Sequence, residues 1–307
     1  MSIRFVKAGL LTTVQDSGRF GLADKGISSN GAMDSIAMQT ANWLVSRPLT
    51  SPVIEITLAG PTVKFDQSMS FAVSGANFDL ILNDSPIPAN QTIHVNQGDK
   101  LQFGKCLSGL RAYLAFSGRI KLPKTLDSYS THLMAEFGGF NGRALQDDDV
   151  IELADIQIPP RKILPNQYKP FYGGNYQIRI TDSVESSEFS AEQMSQFLNQ
   201  TYHVMPQSNR MGLRLQCDDP VIINKSILSS GLAQGSIQIP PSGQPVISSV
   251  DGQTIGGYPR IANVISADWP ILAQLKAKDK ITFAYVSIEQ AMQIRKEKMG
   301  MYKQLWG

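Results

Sequence analysis

Between Ser229 and Val264 the chain reads SSGLAQGSIQIPPSGQPVISSVDGQTIGGYPRIANV, in which glycines, prolines and polar side chains interrupt short apolar runs. Pro240, Pro241, Gly243 and Pro245 fix one connection, and Gly256, Gly257 and Pro259 fix another. They flank Gln244, Asp251, Gln253, Thr254, Tyr258 and Arg260, with Gln238 just upstream. Amides, a carboxylate and a guanidinium on connectors above a rigid sheet can orient a planar polar group and neutralise an anion. The same residues would serve as corners of a β-barrel, where glycine permits close approach and side chains satisfy backbone groups. Six polar residues capable of specific bonding, counted from Gln244 to Arg260, exceed what two corners need.

Two other segments offer polar groups. Ser208-Asn209-Arg210-Met211-Gly212 sets an arginine beside a glycine just ahead of a strand pattern. That placement suits two-point binding of a carboxylate or phosphate, or equally a salt bridge at the strand edge. Val14 to Arg19 brings the amide of Gln15, the carboxylate of Asp16 and the guanidinium of Arg19 close together. It reads either as part of a site or as an exposed turn with a local ion pair.

The motifs with the clearest mechanisms are missing: the sequence has no GxxxxGK loop, GxSxG elbow, HExxH or GxGxxG. His94, His132 and His203 stand apart, and His94 sits in an alternating strand pattern. Cys106 and Cys217 form no CxxC and have no histidines at zinc-ligand spacing, so no metal site is expected and the thiols are expected reduced and buried. The 28 basic and 26 acidic residues are scattered, for a net charge of +2, which argues against nucleic acid or an anionic membrane as the main partner. Arg4, Lys7 and Asp16 interrupt any apolar leader, and nowhere do enough apolar residues run together to span a bilayer. A cytoplasmic protein handling a small or neutral substrate is the expectation.

Strands must position these groups. Met69, Phe71 and Val73 alternate with smaller or polar neighbours, as do Ile281, Phe283 and Tyr285, while Leu213-Arg214-Leu215 and Ile237-Gln238-Ile239 repeat the period of two. A turn followed by a strand recurs at Gly98–Phe103, Asp148–Leu153 and Lys278–Phe283, hinting at two similar β units. Helices are few. One face carries Met33, Ile36, Ala37, Thr40, Ala41 and Leu44; Ser190 with Gln193, and Ser287 with Gln290, form capping boxes that open two more, the last running through Arg295 to Met299. From Ile158 to Gly174 the chain reads IPPRKILPNQYKPFYGG, a stiff proline-rich connector that divides a domain of residues 1–160 from one of 170–307. A cleft between the two would be a natural ligand site.

Seven runs, GLLTTVQDSGRFG, GAMD, EITLAGPT, SGANFD, SNRMG, GSIQIPPSGQP and QTIGGYPR, occur in this order from about Gly9, with the likeness continuing to about Val286. Together they resemble the family of the 5-oxoprolinase C subunit, also called KipA-like, biotin-dependent carboxyltransferase or allophanate hydrolase subunit 2-like. The resemblance implies a mainly β protein with a few helices, built as two cyclophilin-like β-barrel domains. It implies two partners, a KipI-like B subunit plus a LamB/YcsF-like A subunit, together with ATP-dependent opening of 5-oxoproline to glutamate. Two alternatives come with the family: carboxyl transfer from biotin, as in urea carboxylase, and regulation of a KipI-like kinase inhibitor. No AMKM-type biotinylation sequence is present, so biotin would arrive on another protein. In the hydrolase reading, Arg210 and Arg260 would neutralise a phosphate or the substrate carboxylate, Gln238, Gln244 and Gln253 would orient the ring amide, and Asp251 would hold a cation or place a proton. Thr254 and Tyr258 would line the same pocket. Many members carry Asp-Arg-Gln where this chain has Asp251-Gly252-Gln253.

Overall fold

The computed structural model describes residues 1–223, 225 and 227–307. The chain separates into two units, Met1–Arg19 with Asn30–Tyr172, and Phe20–Ser29 with Gly173–Gly307. Phe20–Ser29, which lies within the 1–160 stretch of the sequence-based division, thus belongs with the second unit. Both units are mainly β. Among the described residues, no helix is long and apolar enough to cross a membrane.

The first unit carries β1 (Ser2–Lys7), β2 (Leu11–Gln15), β3 (Val53–Thr57), β4 (Thr62–Phe65), β5 (Met69–Leu82), β6 (Ser85–Ile87), β7 (Ile93–Val95), β8 (Lys100–Phe116), β9 (Arg119–Ile120) and β10 (Val150–Ala154). They form a ten-stranded sheet in which β2-β3-β8-β4-β1-β10-β9 is one path, and β5 branches from β8 and carries β6 and β7. The branching follows from length. β8 is 17 residues long, so one edge takes β3 and then β4 while the other takes the 14 residues of β5. The path ends at β2 and β9 without closing, which makes this unit the open member of the two barrels. Alternation works as the sequence implies: Phe65, Phe71 and Phe116 turn inward, with Phe65 and Phe71 stacked at 5.4 Å between ring centroids.

Helix α1 (Ser35–Leu44) packs its buried Met38, Ala41 and Leu44 on this sheet, with Ala72, Tyr113 and Ala115 in the same cluster. Asp34 starts it: its carboxylate accepts from the Ala37 backbone N–H at 2.9 Å, satisfying one of the donors a helix start leaves over. The proline-rich connector packs onto the same unit, because the Leu164 N–H donates to the Asn90 carbonyl and the Thr92 N–H to the Lys162 carbonyl.

In the second unit β11 (Asn175–Thr181), β12 (Tyr202–Val204), β13 (Gly212–Gln216), β15 (Ser236–Gln238), β16 (Val246–Ser248), β18 (Arg260–Val264) and β19 (Lys280–Tyr285) close a barrel in the order β11-β18-β15-β16-β13-β12-β19. Two short strands, β14 (Ser230–Gly231) and β17 (Ile255–Gly256), form a separate ribbon. The barrel is filled by Ile178, Leu213, Ile237, Ile247, Ile261, Ile281 and Phe283, the apolar members of the alternating runs. Phe283 stacks on Phe197 at 4.7 Å and meets Tyr202 at 5.1 Å. Phe197 comes from α2 (Ala191–Leu198), whose Ser190–Gln193 capping box forms both of its hydrogen bonds. After the short α3 (Trp269–Leu272), α4 (Ile288–Trp306) opens on the Ser287–Gln290 box and runs seven residues past the Met299 limit read from sequence.

Candidate functional site

Alternation decides which side chains leave the barrel. Ile237 and Ile261 point into the core, so Gln238 and Arg260, which face each other in the β15–β18 register, lie on the outer surface. The β14–β17 ribbon covers them. Ser230 pairs with Gly256 and Gly231 with Ile255, and the Leu232 N–H extends the ladder to the Thr254 carbonyl at 2.8 Å. A side chain at Gly256 would have no room: a Cβ there would stand 2.6 Å from Gln238 Nε2 and 3.3 Å from Gln253 Nε2. Glycine therefore lets two carboxamide nitrogens come close to the ribbon backbone, that of Gln238 buried and that of Gln253 on an exposed side chain.

Arg260 fastens the ribbon to the barrel. Its Nη1 donates to the Gly231 carbonyl at 2.5 Å and its Nη2 to Ser230 Oγ at 2.8 Å. The remaining donors make a two-point pair with Glu185, Nε to Oε2 at 2.5 Å and Nη2 to Oε1. The Arg260 hydrogen bonds hold the Glu185 carboxyl below the usual carboxylate range, against an opposing push from burial. Gln238 is 6% exposed, and its Nε2 has no hydrogen-bond partner. A buried amide donor left without an acceptor is costly. Gln253 is exposed, Thr254 half-buried and Tyr258 exposed at the ribbon's rim.

The other residues singled out in the second half are tied to each other. Arg210 Nε meets Asp251 Oδ2 at 2.7 Å and Nη2 meets Oδ1 at 2.8 Å. Both oxygens of Asp251 are thus engaged by the guanidinium of Arg210. Gln244 clips a backbone: its Oε1 accepts from the Cys217 N–H at 2.8 Å and its Nε2 donates to the Cys217 carbonyl at 3.1 Å. It also borders an open cavity of about 650 Å³ on the outer barrel face, with Met205, Arg214, Gln216, Pro240 and Val246. Val246 pairs with Gln238 across the β15–β16 register, which sets this cavity two strands from Arg260. Burial pushes the Cys217 thiol up, so it is a poor nucleophile beside the amide it touches. Both thiols are free, but only Cys217 is buried; Cys106, expected inside, is half-buried on β8.

In the first unit, Asp16 knots a loop: Oδ1 accepts from Ser128 Oγ and Ser130 Oγ at 2.6 Å and from the Gly18 N–H at 2.8 Å, while Oδ2 accepts from the Tyr129 N–H at 2.7 Å. Gln15 donates to the Thr131 carbonyl at 3.3 Å and to Thr13 Oγ1 at 3.0 Å. Arg19 lies over the Phe137 ring and binds Asn30 and the Ser130 carbonyl. The local ion pair of Asp16 with Arg19 that their spacing suggests is replaced by separate bonds to the 128–137 segment.

Sequence reasoning missed a buried network nearby. Tyr113 donates to Glu55 Oε2 at 2.8 Å and accepts from the Asp34 N–H at 2.7 Å, and the Met33 N–H reaches the same Glu55 oxygen at 2.9 Å. Desolvation first, then the Glu55 charge, pushes the Tyr113 hydroxyl far up. Its members come from β3, β8 and the start of α1, and only the fold brings these three separate segments together. Among the described residues no group of three His, Cys, Asp or Glu could hold a metal ion.

A family model described as the carboxyltransferase domain, subdomain A and B, matches residues 25–285. The chain is 36% identical over 305 residues to the C subunit of 5-oxoprolinase from Escherichia coli strain K12, covering 99% of this chain and 97% of that protein. It is 37% identical over 288 residues to the C subunit of 5-oxoprolinase from Haemophilus influenzae, covering 93% and 91%. The crystal structure of the K. lactis urea amidolyase superposes with a TM-score of 0.90 at 31% identity, covering 97% of this chain and 19% of that one.

Proposed function

This chain belongs to the carboxyltransferase family of subdomains A and B, and from that premise we propose that it is the C subunit of an ATP-dependent 5-oxoprolinase. The observation that carries the reading is the end-to-end match, 97% of the E. coli protein at 36% identity. In this reading it assembles in the cytoplasm with a KipI-like protein and a LamB/YcsF-like protein, the B and A members of the complex, which opens 5-oxo-L-proline to L-glutamate.

The chemistry explains why ATP is needed. An unstrained lactam carbonyl is a poor electrophile at neutral pH. Transfer of the terminal phosphoryl group of ATP to the amide oxygen makes it a good one. Water then adds at the carbon, the ring C–N bond breaks with the nitrogen taking a proton to leave an acyl phosphate, and a second water cleaves that to the carboxylate and free phosphate. Gln238 and Gln253, whose amide nitrogens both lie near Gly256, are suited to orienting the lactam amide, with Thr254 and Tyr258 at the rim, while Arg260, its charge paired with Glu185, holds the ribbon over them. Arg210 and Asp251 hold the loop that carries Gln253. Gln244 holds the neighbouring connection.

Carboxyl transfer from biotin to a urea-like amide is the second reading, supported by the TM-score of 0.90 to the urea amidolyase. Mixing this chain with a KipI-like and a LamB/YcsF-like protein, 5-oxo-L-proline and ATP, and measuring glutamate and ADP, separates them. Glutamate formed only with all three polypeptides supports the hydrolase. Carboxylation of urea by a biotinylated carrier, without glutamate, overturns it.

A further inference from the structure

We propose that the first unit carries a binding site for a small anion, a carboxylate or a phosphate, in a cleft of about 320 Å³ built around Arg47, Arg119 and Lys124. Two pinned walls make it. On one side Asp16 ties residues 128–130 to the Ser17–Gly18 turn through four hydrogen bonds. Gly31 packs against that turn so tightly that a Cβ there would stand 2.9 Å from the Gly18 nitrogen. On the other side the amide of Asn42 donates to the Leu49 and Ser51 carbonyls at 3.1 and 2.8 Å, and the Arg47 N–H returns to the Asn42 carbonyl at 2.9 Å. Both walls are set before any ligand arrives, which lowers the ordering cost of binding.

The charges inside favour an anion. Arg47 has no ion pair or side-chain hydrogen bond among the described residues, and its Nε is shut away from water without a partner. Its two Nη groups are left open to solvent with no protein acceptor among the described residues, and two oxygens of one anion match these planar donors. Lys124 also lacks an ion pair there and lies over the Tyr129 ring, 5.4 Å from its centroid, at the cleft's rim. Arg119 shares its charge with Asp155 at 2.9 Å. The carboxylates in the lining are Asp16, whose oxygens are taken by the 128–130 loop and Gly18, and Asp127, exposed at the rim. Hydroxyls of Ser17, Thr50 and Ser51 complete the polar lining.

This site is distinct from the ribbon of the second unit and does not depend on the hydrolase reading, so its test measures binding without turnover. The full chain is titrated calorimetrically with inorganic phosphate, with 5-oxo-L-proline and with the uncharged 5-oxo-L-prolinamide. Saturable binding of either anion but not of the amide is expected, weakened about tenfold or more in Arg47→Gln and in Lys124→Gln, and by added salt. Phosphate alone binding assigns the site to phosphoryl groups, and 5-oxo-L-proline binding that Arg47→Gln and Lys124→Gln both weaken assigns it to carboxylates. No binding of either anion, amide binding that Lys124→Gln weakens equally, or anion affinity unchanged in Lys124→Gln, a surface change that leaves the walls intact, overturns the proposal.

Discussion

Arg210 and Asp251 face each other across two hydrogen bonds of 2.7 and 2.8 Å, each side chain 4% exposed. The pair closes the stretch before β13 onto the loop after β16, and the Asp251 N–H adds a bond to the Arg210 carbonyl at 2.9 Å. Removing one partner leaves a charge stranded out of water, so Asp251→Ala should cost about 3–5 kcal/mol. Replacing both, as Arg210→Met with Asp251→Leu, should cost much less. Urea unfolding of the single and double variants checks this. Equal losses in both would mean the pair does not act as a unit. Any activity lost in Asp251→Ala must be read only where the variant is still folded.

The surroundings of Gly252 leave no space for a side chain to begin. A Cβ would lie 2.6 Å from Ser248 Oγ and 2.9 Å from the carbonyl oxygens of Met211 and Ser249. The serine can rotate away; the two carbonyls belong to the turn and cannot. Gly252→Ala should therefore destabilise by about 1–3 kcal/mol, and Gly252→Arg by a similar amount, since the clash lies at the first carbon. Thermal unfolding of the two variants side by side is the check. A fully stable Gly252→Ala would show that the turn yields.

Glu185 makes the ribbon sensitive to acid. Its carboxyl is lowered first by the hydrogen bonds from Arg260, so the folded state releases this proton more readily than the unfolded chain does. The stabilisation is complete above the unfolded value of about 4.3 and is lost as pH falls through the lower folded value. Glu185→Gln should be less stable than the parent near neutrality by about 1–3 kcal/mol. That gap should close as pH falls from about 4.3 through the lower folded value. Urea midpoints across this range would show a constant gap if the pair contributed nothing.

Burial patterns carried far in the sequence because they depend on neighbours along the chain. The alternations at Met69–Val73, Leu213–Leu215 and Ile281–Tyr285 became strands, and both serine–glutamine boxes formed as read. Helix α4 continues beyond Met299, where its last turn is held by Tyr302, 8% exposed and stacked on Trp306. Local reading also found which loop is rich in polar groups. It could not tell which of them face one another: Glu185, 75 positions from Arg260, and Cys217, 27 from Gln244, are brought in by the barrel. Partners at such distances are set by strand order, which no window of the sequence contains.

Tyr113 makes the buried network of the first unit testable. Its hydroxyl is at once a donor to Glu55 and an acceptor for the Asp34 N–H, at the residue that caps α1. Tyr113→Phe keeps the ring in the cluster with Met38 and Leu44 and deletes both bonds. The Asp34 N–H then loses the Tyr113 acceptor and Glu55 one of its donors at a fully buried place, so a loss of about 1–3 kcal/mol is expected. The damage should be local to the start of α1, where amide exchange at Asp34 and the first helical turn should speed up while β1 and β10 keep their protection. Because burial and the Glu55 charge push the hydroxyl far up, Tyr113 should also stay unionised in alkaline solution where exposed tyrosines titrate, and the parent and Tyr113→Phe should give the same ultraviolet phenolate signal until unfolding. An early phenolate signal missing from the variant would place that hydroxyl in water and dissolve the network.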